Sequence, residues 1–246
     1  MAYGDLILMR DLTFEVKRGD IFFIMGGSGS GKSTLLSHLI GLKEPASGEI
    51  FYNGLNFTKA DSDQRQGMLR LSGILYQQSA LWSSMTLAEN VTIVLRLFTN
   101  LTPAQAREVA CMKLALVGLK GFEDYYPNQI SGGMKKRAGL ARAIALDPEL
   151  LFFDEPSAGL DPVTSQLLDE LIVDLKESLG ATIVIVSHEL ASIFGIGTNS
   201  IFLDADSHSG IASGHPKQLL AQTRDPRVLR FLTRGVGRAR EVTYNE

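Results

Sequence analysis

A glycine-rich stretch at residues 26–34, GGSGSGKST, has the residue types and spacing of a loop that binds phosphate. Gly26, Gly31, Lys32 and Ser33 match the pattern G-x-x-x-x-G-K-[ST], between a strand-like and a helix-like run. Glycines let the backbone wrap around a phosphate, lysine supplies positive charge for the β- and γ-phosphates, and a serine hydroxyl is a ligand for Mg²⁺. The predicted nucleotide-binding residues here are Gly26, Gly27, Ser28, Gly29, Ser30, Gly31, Lys32, Ser33 and Thr34.

Two acidic residues, Asp154 and Glu155, follow an apolar run in the stretch LLFFDEP at residues 150–156. Such a run is typical of a buried strand, so both carboxylates stand at the end of that strand. We expect Asp154 to hold a magnesium ion and Glu155 to orient and activate a water for attack on the γ-phosphate. Together with the glycine-rich loop, these acids are compatible with a GTPase, a small-molecule kinase or an ATPase.

A second candidate anion site lies in the stretch ISGGMKKR at residues 130–137. Ser131, Gly132 and Gly133 open a helix-like segment, where bare N–H groups and the positive end of the helix dipole favour an anion. A kinase would leave this stretch unexplained, and the sequence shows no Asn-Lys-x-Asp element for reading guanine. Both observations favour an ATPase.

Strand-like and helix-like segments alternate along the chain, which predicts an α/β fold with helices on both sides of a sheet. Several strand-like runs are continuously apolar, as expected for parallel strands buried on both faces. The predicted strands cover residues 12–16, 20–26, 48–54, 73–77, 150–154, 182–187 and 200–204. The predicted helices cover residues 32–42, 86–97, 103–117, 131–146, 161–179 and 216–222.

The whole chain, residues 1–246, is predicted to be a single domain with a helical insertion. Residues 78–130 carry helix signals without a convincing strand and form the predicted helical subdomain. Residues 1–77 and 131–215 form the nucleotide-binding core, and residues 216–246 form a C-terminal helical extension. The arginine-rich end is expected to be a solvated helix followed by a fraying tail.

Composition is that of a globular protein: 45% of the 246 residues are hydrophobic and 21% are charged. The net charge of −3 gives no sign of a nucleic-acid partner. The single cysteine, Cys111, fits a reducing compartment, and we expect it in the core. No apolar run approaches the roughly 18 residues that span a bilayer, and no signal peptide is visible. A role at a membrane would therefore need another chain to hold this one there.

The motifs occur in the order and approximate spacing of an ABC-transporter ATPase subunit, and this resemblance runs over nearly the whole chain. The stretches that carry it are Gly26–Thr34, Gln77, Ser131–Gly133, Asp154–Glu155, Ser157–Asp161 and His188. The resemblance implies a P-loop NTPase fold with a mainly parallel core sheet, a small antiparallel β subdomain and a helical insertion. It also implies ATP as the nucleotide, Mg²⁺ as its metal and ATP hydrolysis as the activity.

In this family two subunits associate head to tail, and the Ser-Gly-Gly of one faces the ATP held by the P-loop of the other. The resemblance therefore implies a homodimer, in which the second anion site serves the partner's γ-phosphate. It makes Gln77 a ligand of the magnesium ion, with Ser33 and Asp154, and a contact of the attacking water. His188 would contact the γ-phosphate and steady the transition state.

Two further roles are implied by position in the family. Asp161 would lie in the loop that couples the two sites. Tyr3 would stack on adenine, although only two residues precede it where most members have a full strand. The signature has Ile130 where leucine is usual and Met134 where glutamine is common.

Three stretches resemble the ATPase of MCE-associated, Mla-type phospholipid transporters. They are the SGGM motif with the residues up to AGLDP, the stretch YQQSALWSSMTLAENV, and DPRVLRFLTRG near the end. This resemblance implies an integral-membrane permease of the MlaE type, an MCE protein that carries lipid, and a STAS-domain protein. It places the chain peripherally on the cytoplasmic face of the inner membrane. Residues 225–246 are expected to contact a neighbouring ATPase subunit or the STAS-domain protein.

Two alternatives remain open at this point. One is an ABC ATPase of a transporter for another cargo, such as a lipoprotein, an amino acid or a metal, since cargo contacts lie in the permease. The other is a non-membrane ABC ATPase that acts as a scaffold, as in iron–sulfur cluster assembly. That class would not need a helical insertion shaped for a permease.

Overall fold

The computed structural model describes residues 1–3 and 6–233, and only the backbone of residues 2, 3 and 6. The strands are β1 (Ala2–Tyr3), β2 (Leu6–Ile7), β3 (Ile21–Gly26), β4 (Phe51–Tyr52), β5 (Leu55–Asn56), β6 (Ser72–Leu75), β7 (Leu150–Asp154), β8 (Thr182–Val186), β9 (Asn199–Asp204) and β10 (Ser209–Ser213). The helices are α1 (Lys32–Leu39), α2 (Ser62–Arg70), α3 (Leu87–Phe98), α4 (Pro103–Leu116), α5 (Gly132–Ala143), α6 (Pro162–Leu179), α7 (Leu190–Ile196), α8 (Pro216–Gln222) and α9 (Pro226–Leu232), with a 3-10 turn at Pro127–Gln129.

A six-stranded sheet in the order β10-β9-β3-β8-β7-β6 forms the centre, and every neighbouring pair is parallel except β9 and β10. Strands β3 and β8 are buried along their whole length. Their apolar side chains alternate between two hydrophobic clusters, because successive residues of a strand point to opposite faces. Phe23 and Met25 enter one cluster, whereas Phe22 and Ile24 enter the other. The predicted parallel sheet, buried on both faces, is confirmed.

The register of the sheet aligns the strand ends that carry the chemistry. Ile24 in β3 and Asp154 in β7 both pair with Val186 in β8. Parallel strands end on the same edge, so the loops that follow these three strands emerge side by side. The glycine-rich loop, the two acids and His188 are therefore neighbours in space.

Several predicted elements need correction. Residues 12–16 form no strand; Leu12, Phe14 and Val16 are instead partly buried against the hydrophobic cluster that contains α1. The strand predicted at 48–54 is only Phe51–Tyr52, paired with β5 in a short hairpin. This hairpin and the β1–β2 pair are the small antiparallel elements of the fold.

Other elements were missed by the sequence analysis. Strand β10 is short, incompletely buried and bulged, and among the described residues it pairs only with β9 at the edge of the sheet. Helix α2 has no buried residue, so no apolar periodicity in the sequence predicts it. The capping box of Asp61 and Gln64 was nevertheless a usable signal for its start. Helix α7 was also missed. Cys111 is only half-buried in α4, so its expected place in the core is wrong.

Residues 78–130, predicted to be a helical insertion, contain α3 and α4 and no strand. Both helices begin with capping boxes, Thr86 with Glu89 and Thr102 with Gln105. They pack against each other and against α5, which joins the insertion to the central sheet through β6. None of the helices within residues 1–3 and 6–233 combines the length and apolar character that a membrane span requires.

Helix α9 packs against the core, which corrects the expectation of a solvated terminal helix. Val228, Phe231 and Leu232 are buried, and the Phe231 ring meets Phe202 of β9 edge-on at a centroid distance of 5.1 Å. Asp225 caps the helix by accepting from the main-chain N–H of Arg227 at 2.8 Å. Residues 234–246, which include most of the tail expected to contact other subunits, lie outside the described residues.

Arg227 joins this helix to the sheet, and its loss should destabilise the protein. Its guanidinium donates to Asp204 Oδ2 at 2.6 Å and to Asp225 Oδ2 at 2.7 Å, and Asp204 is buried. Replacing Arg227 by alanine should lower the free energy of unfolding by about 1–3 kcal/mol, because a buried carboxylate loses a charged donor.

Denaturant unfolding would measure this loss of stability. Intact ATP binding would show that the variant is still folded. Arg224→Ala is the matched control, because Arg224 is an exposed arginine three residues earlier. It should change stability by less than about 0.5 kcal/mol. Equal losses in both variants would contradict the anchoring role of Arg227.

Candidate functional site

The glycine-rich loop links the end of β3 to the start of α1. A Cβ on Gly26 would lie 2.4 Å from the carbonyl oxygen of Leu203 and 2.5 Å from Ser30 Oγ, so no larger residue fits. Gly29 and Gly31 have φ values of 77° and 81°, a region that favours glycine. Gly27 has open space around its Cβ position. The fold of this chain does not require a glycine there, whereas close approach of a phosphate would.

Lys32 and Ser33 begin helix α1, whose N-terminus faces the loop. The Lys32 ammonium donates to the carbonyl oxygens of Gly26 at 3.0 Å and Gly27 at 2.8 Å. These contacts hold a positive charge inside the loop. Ser28 is exposed, Thr34 is half-buried, and the buried Ser30 Oγ has no hydrogen-bond partner among the described residues. The structure thus collects every predicted residue of the loop between the end of β3 and the first turn of α1.

Ser33 and Asp154 are brought together although 121 positions separate them in sequence. The Ser33 hydroxyl donates to Asp154 Oδ1 at 3.1 Å. Burial raises the pKa of Asp154, and the Ser33 hydrogen bond and the Lys32 charge oppose that rise. A hydroxyl and a carboxylate in direct contact are the hard oxygen ligands that Mg²⁺ prefers beside a phosphate. The donor set fits a magnesium ion.

The main chain of Glu155 is strained, and a hydrogen bond to a neighbouring strand holds it in place. Its φ of 48° is in the left-handed region, which is uncommon for a residue with a side chain. The N–H donates to the carbonyl of Val186 in β8 at 2.9 Å. Strain of this kind persists only where surrounding contacts determine it, and it is frequent at functional sites.

The carboxyl group of Glu155 is mostly buried, and one of its oxygens faces His188. His188 Nδ1 lies 2.8 Å from Glu155 Oε1, and the imidazole is 45% exposed. Glu155 Oε2 is buried and has no hydrogen-bond partner within the described chain. Such an oxygen is available to accept a hydrogen bond from a ligand or water. Glu155 and His188, which the sequence analysis assigned to separate catalytic roles, are therefore in hydrogen-bond contact, and one oxygen of Glu155 is left over as an acceptor.

The structure gives the position of Gln77 in the fold but does not show the side-chain contacts that were predicted for it. It lies two residues after β6, the strand beside β7, and it is exposed. Its main-chain carbonyl accepts a hydrogen bond from Lys136. No hydrogen bond of its side chain to the loop or the acids is present within the described part of the chain, so its predicted contact with magnesium and water stays a prediction.

The second anion site is the N-terminus of α5. Ser131 is the N-cap, and its Oγ accepts from the N–H of Met134 at 3.2 Å, which leaves the hydroxyl hydrogen for another acceptor. A Cβ on Gly133 would lie 2.7 Å from Thr164 Cγ2, so the packing of α6 requires that glycine. Gly132 has open space around its Cβ position and no positive φ. Nothing among the residues that the structure describes requires Gly132 to lack a side chain.

Asp161 and Tyr3 complete the predicted set. Asp161 is the N-cap of α6, and it accepts from the N–H groups of Val163 and Thr164 at 3.1 and 3.0 Å. The Thr164 hydroxyl bond is the main cause that lowers the pKa of Asp161. Tyr3 belongs to β1, but its side chain lies outside the described residues, so the adenine contact stays a prediction.

Comparison with known proteins decides the family. The sequence model for the family described as ABC transporter matches residues 9–158, which hold the glycine-rich loop, the second anion site and both acids. The chain belongs to the ABC transporter family.

Relatives within the ABC transporter family match nearly the whole chain. The Haemophilus influenzae protein named intermembrane phospholipid transport system ATP-binding protein MlaF is 39% identical over 93% of this chain and 86% of its own length. The Mycobacterium tuberculosis protein named probable ribonucleotide transport ATP-binding protein mkl is 37% identical over 94% of this chain. This chain spans only 64% of the length of that mycobacterial relative.

A solved structure of an ABC cassette shares the fold. The dimeric post-hydrolysis state of the ATP-binding cassette MJ0796, bound to ADP and Pi, has a TM-score of 0.75 and 29% identity. It covers 85% of this chain and 90% of its own. The predicted P-loop NTPase fold is confirmed.

Three residues of this ABC family chain that shape the site were missed by the sequence analysis. Lys136 and Arg142 on α5 donate to main-chain carbonyls of the segment 77–80, which follows β6. Asn90 is completely buried and bonds to the loop before α3 through both its amide nitrogen and its oxygen. Lysine and arginine on a helix usually indicate a solvated face, so no sequence signal pointed to the two cations. The asparagine lay within the quoted stretch YQQSALWSSMTLAENV, which was a usable signal.

Proposed function

We propose that this chain binds and hydrolyses ATP as the energising subunit of an ABC transporter. The observation that carries the proposal is the buried, unpartnered Oε2 of Glu155, beside an oxygen held by His188 and next to the Ser33–Asp154 pair. A carboxylate so arranged can take a proton from a water that attacks the γ-phosphate.

Nucleotide binding is assigned to the glycine-rich loop and α1. The loop N–H groups and the Lys32 ammonium would bind the β- and γ-phosphates. Ser33 and Asp154 would hold magnesium, which when bound neutralises charge on the phosphates. Gln77 is proposed as a further ligand of the ion, and Tyr3 as the residue that stacks on adenine.

Hydrolysis is assigned to Glu155, His188 and Gln77. His188 orients the Glu155 carboxylate through Oε1, so that Oε2 accepts the proton of the attacking water. The new bond forms between the water oxygen and the γ-phosphorus, and the bond to the bridging oxygen of ADP breaks. The second imidazole nitrogen of His188 would face the γ-phosphate, while Gln77 would hold the water.

A head-to-tail homodimer is proposed from the N-terminus of α5. Gly132 is unhindered within its own chain, and Ser131 keeps a hydroxyl hydrogen to donate. Both features suit a phosphate brought by another subunit, which the bare N–H groups would bind. Asp161, at the start of α6, is proposed to couple the two sites.

Phospholipid is the proposed cargo. The MlaF relative is named for phospholipid transport, and its similarity covers 93% of this chain. We propose an MlaE-type permease, an MCE protein and a STAS-domain protein as partners, and the cytoplasmic face of the inner membrane as location. Another cargo is the second candidate, because the mycobacterial relative is named for ribonucleotide transport.

The proposed permease contact is a surface groove of about 330 Å³ between the central sheet and the helical insertion. Tyr76, Trp82 and Arg142 are among its lining residues, and 47% of the Trp82 surface is exposed. An exposed tryptophan beside an arginine is typical of residues that dominate protein interfaces.

Capture from membranes tests the transporter proposal. The tagged chain is expressed with its genomic neighbours and purified from detergent-solubilised membranes, and the captured proteins and lipids are identified. We expect a permease, an MCE protein and phospholipid. An unrelated permease would overturn the cargo only, whereas a chain found solely in the soluble fraction would favour the scaffold alternative.

A matched pair of variants sharpens this experiment. Trp82→Ala should lower permease recovery about tenfold, since truncated interface anchors cost roughly 1–2 kcal/mol or more. Phe51→Ala is the control, because Phe51 is 55% exposed in the separate β4–β5 hairpin, and it should leave recovery unchanged. Equal recovery with both variants would exclude the groove as the permease contact.

A further inference from the structure

Lys136 is a buried lysine in the first two turns of α5. Only 6% of its surface is exposed, and its ammonium donates to the main-chain carbonyls of Gln77 and of Glu155, the latter at 3.2 Å. Burial lowers the pKa of Lys136, and the charges of Asp154 and Glu155 oppose that shift. No carboxylate of the described residues forms an ion pair with it. Burying an ammonium group costs free energy, so the burial of Lys136 calls for a functional explanation.

The two carbonyls belong to the main chain of two residues proposed to act on the attacking water. Glu155 is held on one side by its N–H bond to Val186 and on the other by the bond from Lys136 to its carbonyl. The carbonyl also accepts from the N–H of Ala158 at 3.2 Å. These bonds fix the peptide planes on both sides of a residue in the left-handed region. They therefore set the direction of the Glu155 side chain.

A second cation on the same helix supports this arrangement. Arg142 donates to the carbonyls of Ser79 at 2.7 Å and Ala80 at 2.6 Å, and both residues have positive φ values, 62° and 47°. Helix α5 thus holds the segment 77–80 at three carbonyls. The N-cap of the same helix is Ser131, the proposed contact for the partner subunit's ATP.

We propose, on the basis of the function proposed above for Glu155 and Gln77, that Lys136 is a positioning residue for hydrolysis. Its ammonium keeps the main chain of both residues in the geometry for water attack. It also ties them to α5, so that a shift of the α5 N-terminus on the partner's γ-phosphate reaches this subunit's own Glu155. Lys136 does not touch the nucleotide in this arrangement.

Lys136→Met tests the proposal in the full-length chain, in the membrane complex with which it copurifies or as the ATP-dependent dimer. We expect kcat to fall by about 10- to 100-fold, because small misplacements of reacting groups have effects of that size. The dissociation constant for ATP should stay within about twofold, since the P-loop is untouched. Lys136→Arg, which keeps a charged donor, should recover several-fold more activity than Lys136→Met.

Lys113→Met is the matched control. Lys113 is equally buried, at 5% exposed, but its ammonium pairs with Asp147, between α5 and β7 and away from the proposed catalytic groups. It should lose thermal stability but keep its kcat. If Lys136→Met does not fold, Lys136→Gln replaces it under the same criteria, because its polar amide is tolerated in the buried position but is too short to reach both carbonyls.

Three results would overturn the proposal: an unchanged kcat, an equal loss in the Lys136→Arg variant, or the same loss in Lys113→Met. Glu155→Gln is measured in parallel to separate this proposal from its basis. A normal kcat in Glu155→Gln would overturn the proposed function itself. An inactive Glu155→Gln beside a fully active Lys136→Met would overturn only the role of Lys136.

Discussion

A chain with Glu155 replaced by glutamine is expected to bind ATP normally and to hydrolyse it about a thousandfold more slowly. An amide has the shape of the carboxylate but cannot accept the proton of the attacking water. About a thousandfold corresponds to roughly 4 kcal/mol on the barrier. Only 11% of the Glu155 side chain is exposed, so solvent is poorly placed to replace the base.

Single-turnover hydrolysis and equilibrium ATP binding measure the two halves of this expectation. The variant should also accumulate as an ATP-bound dimer, which light scattering detects. Glu149→Gln is the matched control, because Glu149 precedes the opposite end of β7 and pairs at the surface with Arg18. It should hydrolyse ATP at the wild-type rate. Wild-type turnover by Glu155→Gln would refute the assigned base, and loss of ATP binding would indicate a structural role instead.

Mixing two inactive variants is expected to restore ATP hydrolysis, which is the second large effect. Lys32→Ala should abolish most ATP binding by its own P-loop, where the ammonium lies against the loop carbonyls. Ser131→Arg should block the partner's γ-phosphate while its own P-loop stays intact. In a head-to-tail mixed dimer both defects fall in one composite site, and the other site contains only native residues.

The measurement compares each variant alone with their equimolar mixture. With random pairing and independent sites, the mixture should recover about a quarter of wild-type activity, because half of the dimers each hold one intact site. Each mixed dimer should bind one nucleotide tightly. No recovery, with no tightly bound nucleotide in the mixture, would contradict the head-to-tail arrangement.

The chemistry was predictable from sequence because it sits at the ends of strands that the sequence marks clearly. Strand β7 has the predicted bounds, and β3 and β8 differ by one residue at one end. Because these strands are apolar on both faces, they are stable only in a sheet that is covered on both faces. Once these strands are parallel neighbours, the loop, the acids and His188 must converge on one edge.

The remaining features depend on contacts that are distant in sequence. Leu12, Phe14 and Val16 alternate as in a strand, but a strand also needs a partner strand. Here they pack on the core, and no described strand pairs with them. The amphipathic pattern of α9 could not predict that Arg227 forms an ion pair with Asp204 of β9. The burial of Lys136 depends on the positions of two loops that lie before and after it in the chain.

The stacking of Arg142 over Trp82 gives the protein a built-in optical reporter. Trp82 is the single tryptophan of the sequence, and the guanidinium of Arg142 lies 5.4 Å from its ring centroid. Indole fluorescence responds to nearby charge and to water. All indole fluorescence of this protein arises from Trp82, at the joint where α5, the segment 77–80 and the helical insertion meet. Unlabelled wild-type protein can therefore report, in a stopped-flow fluorimeter, when that joint moves relative to nucleotide binding and hydrolysis.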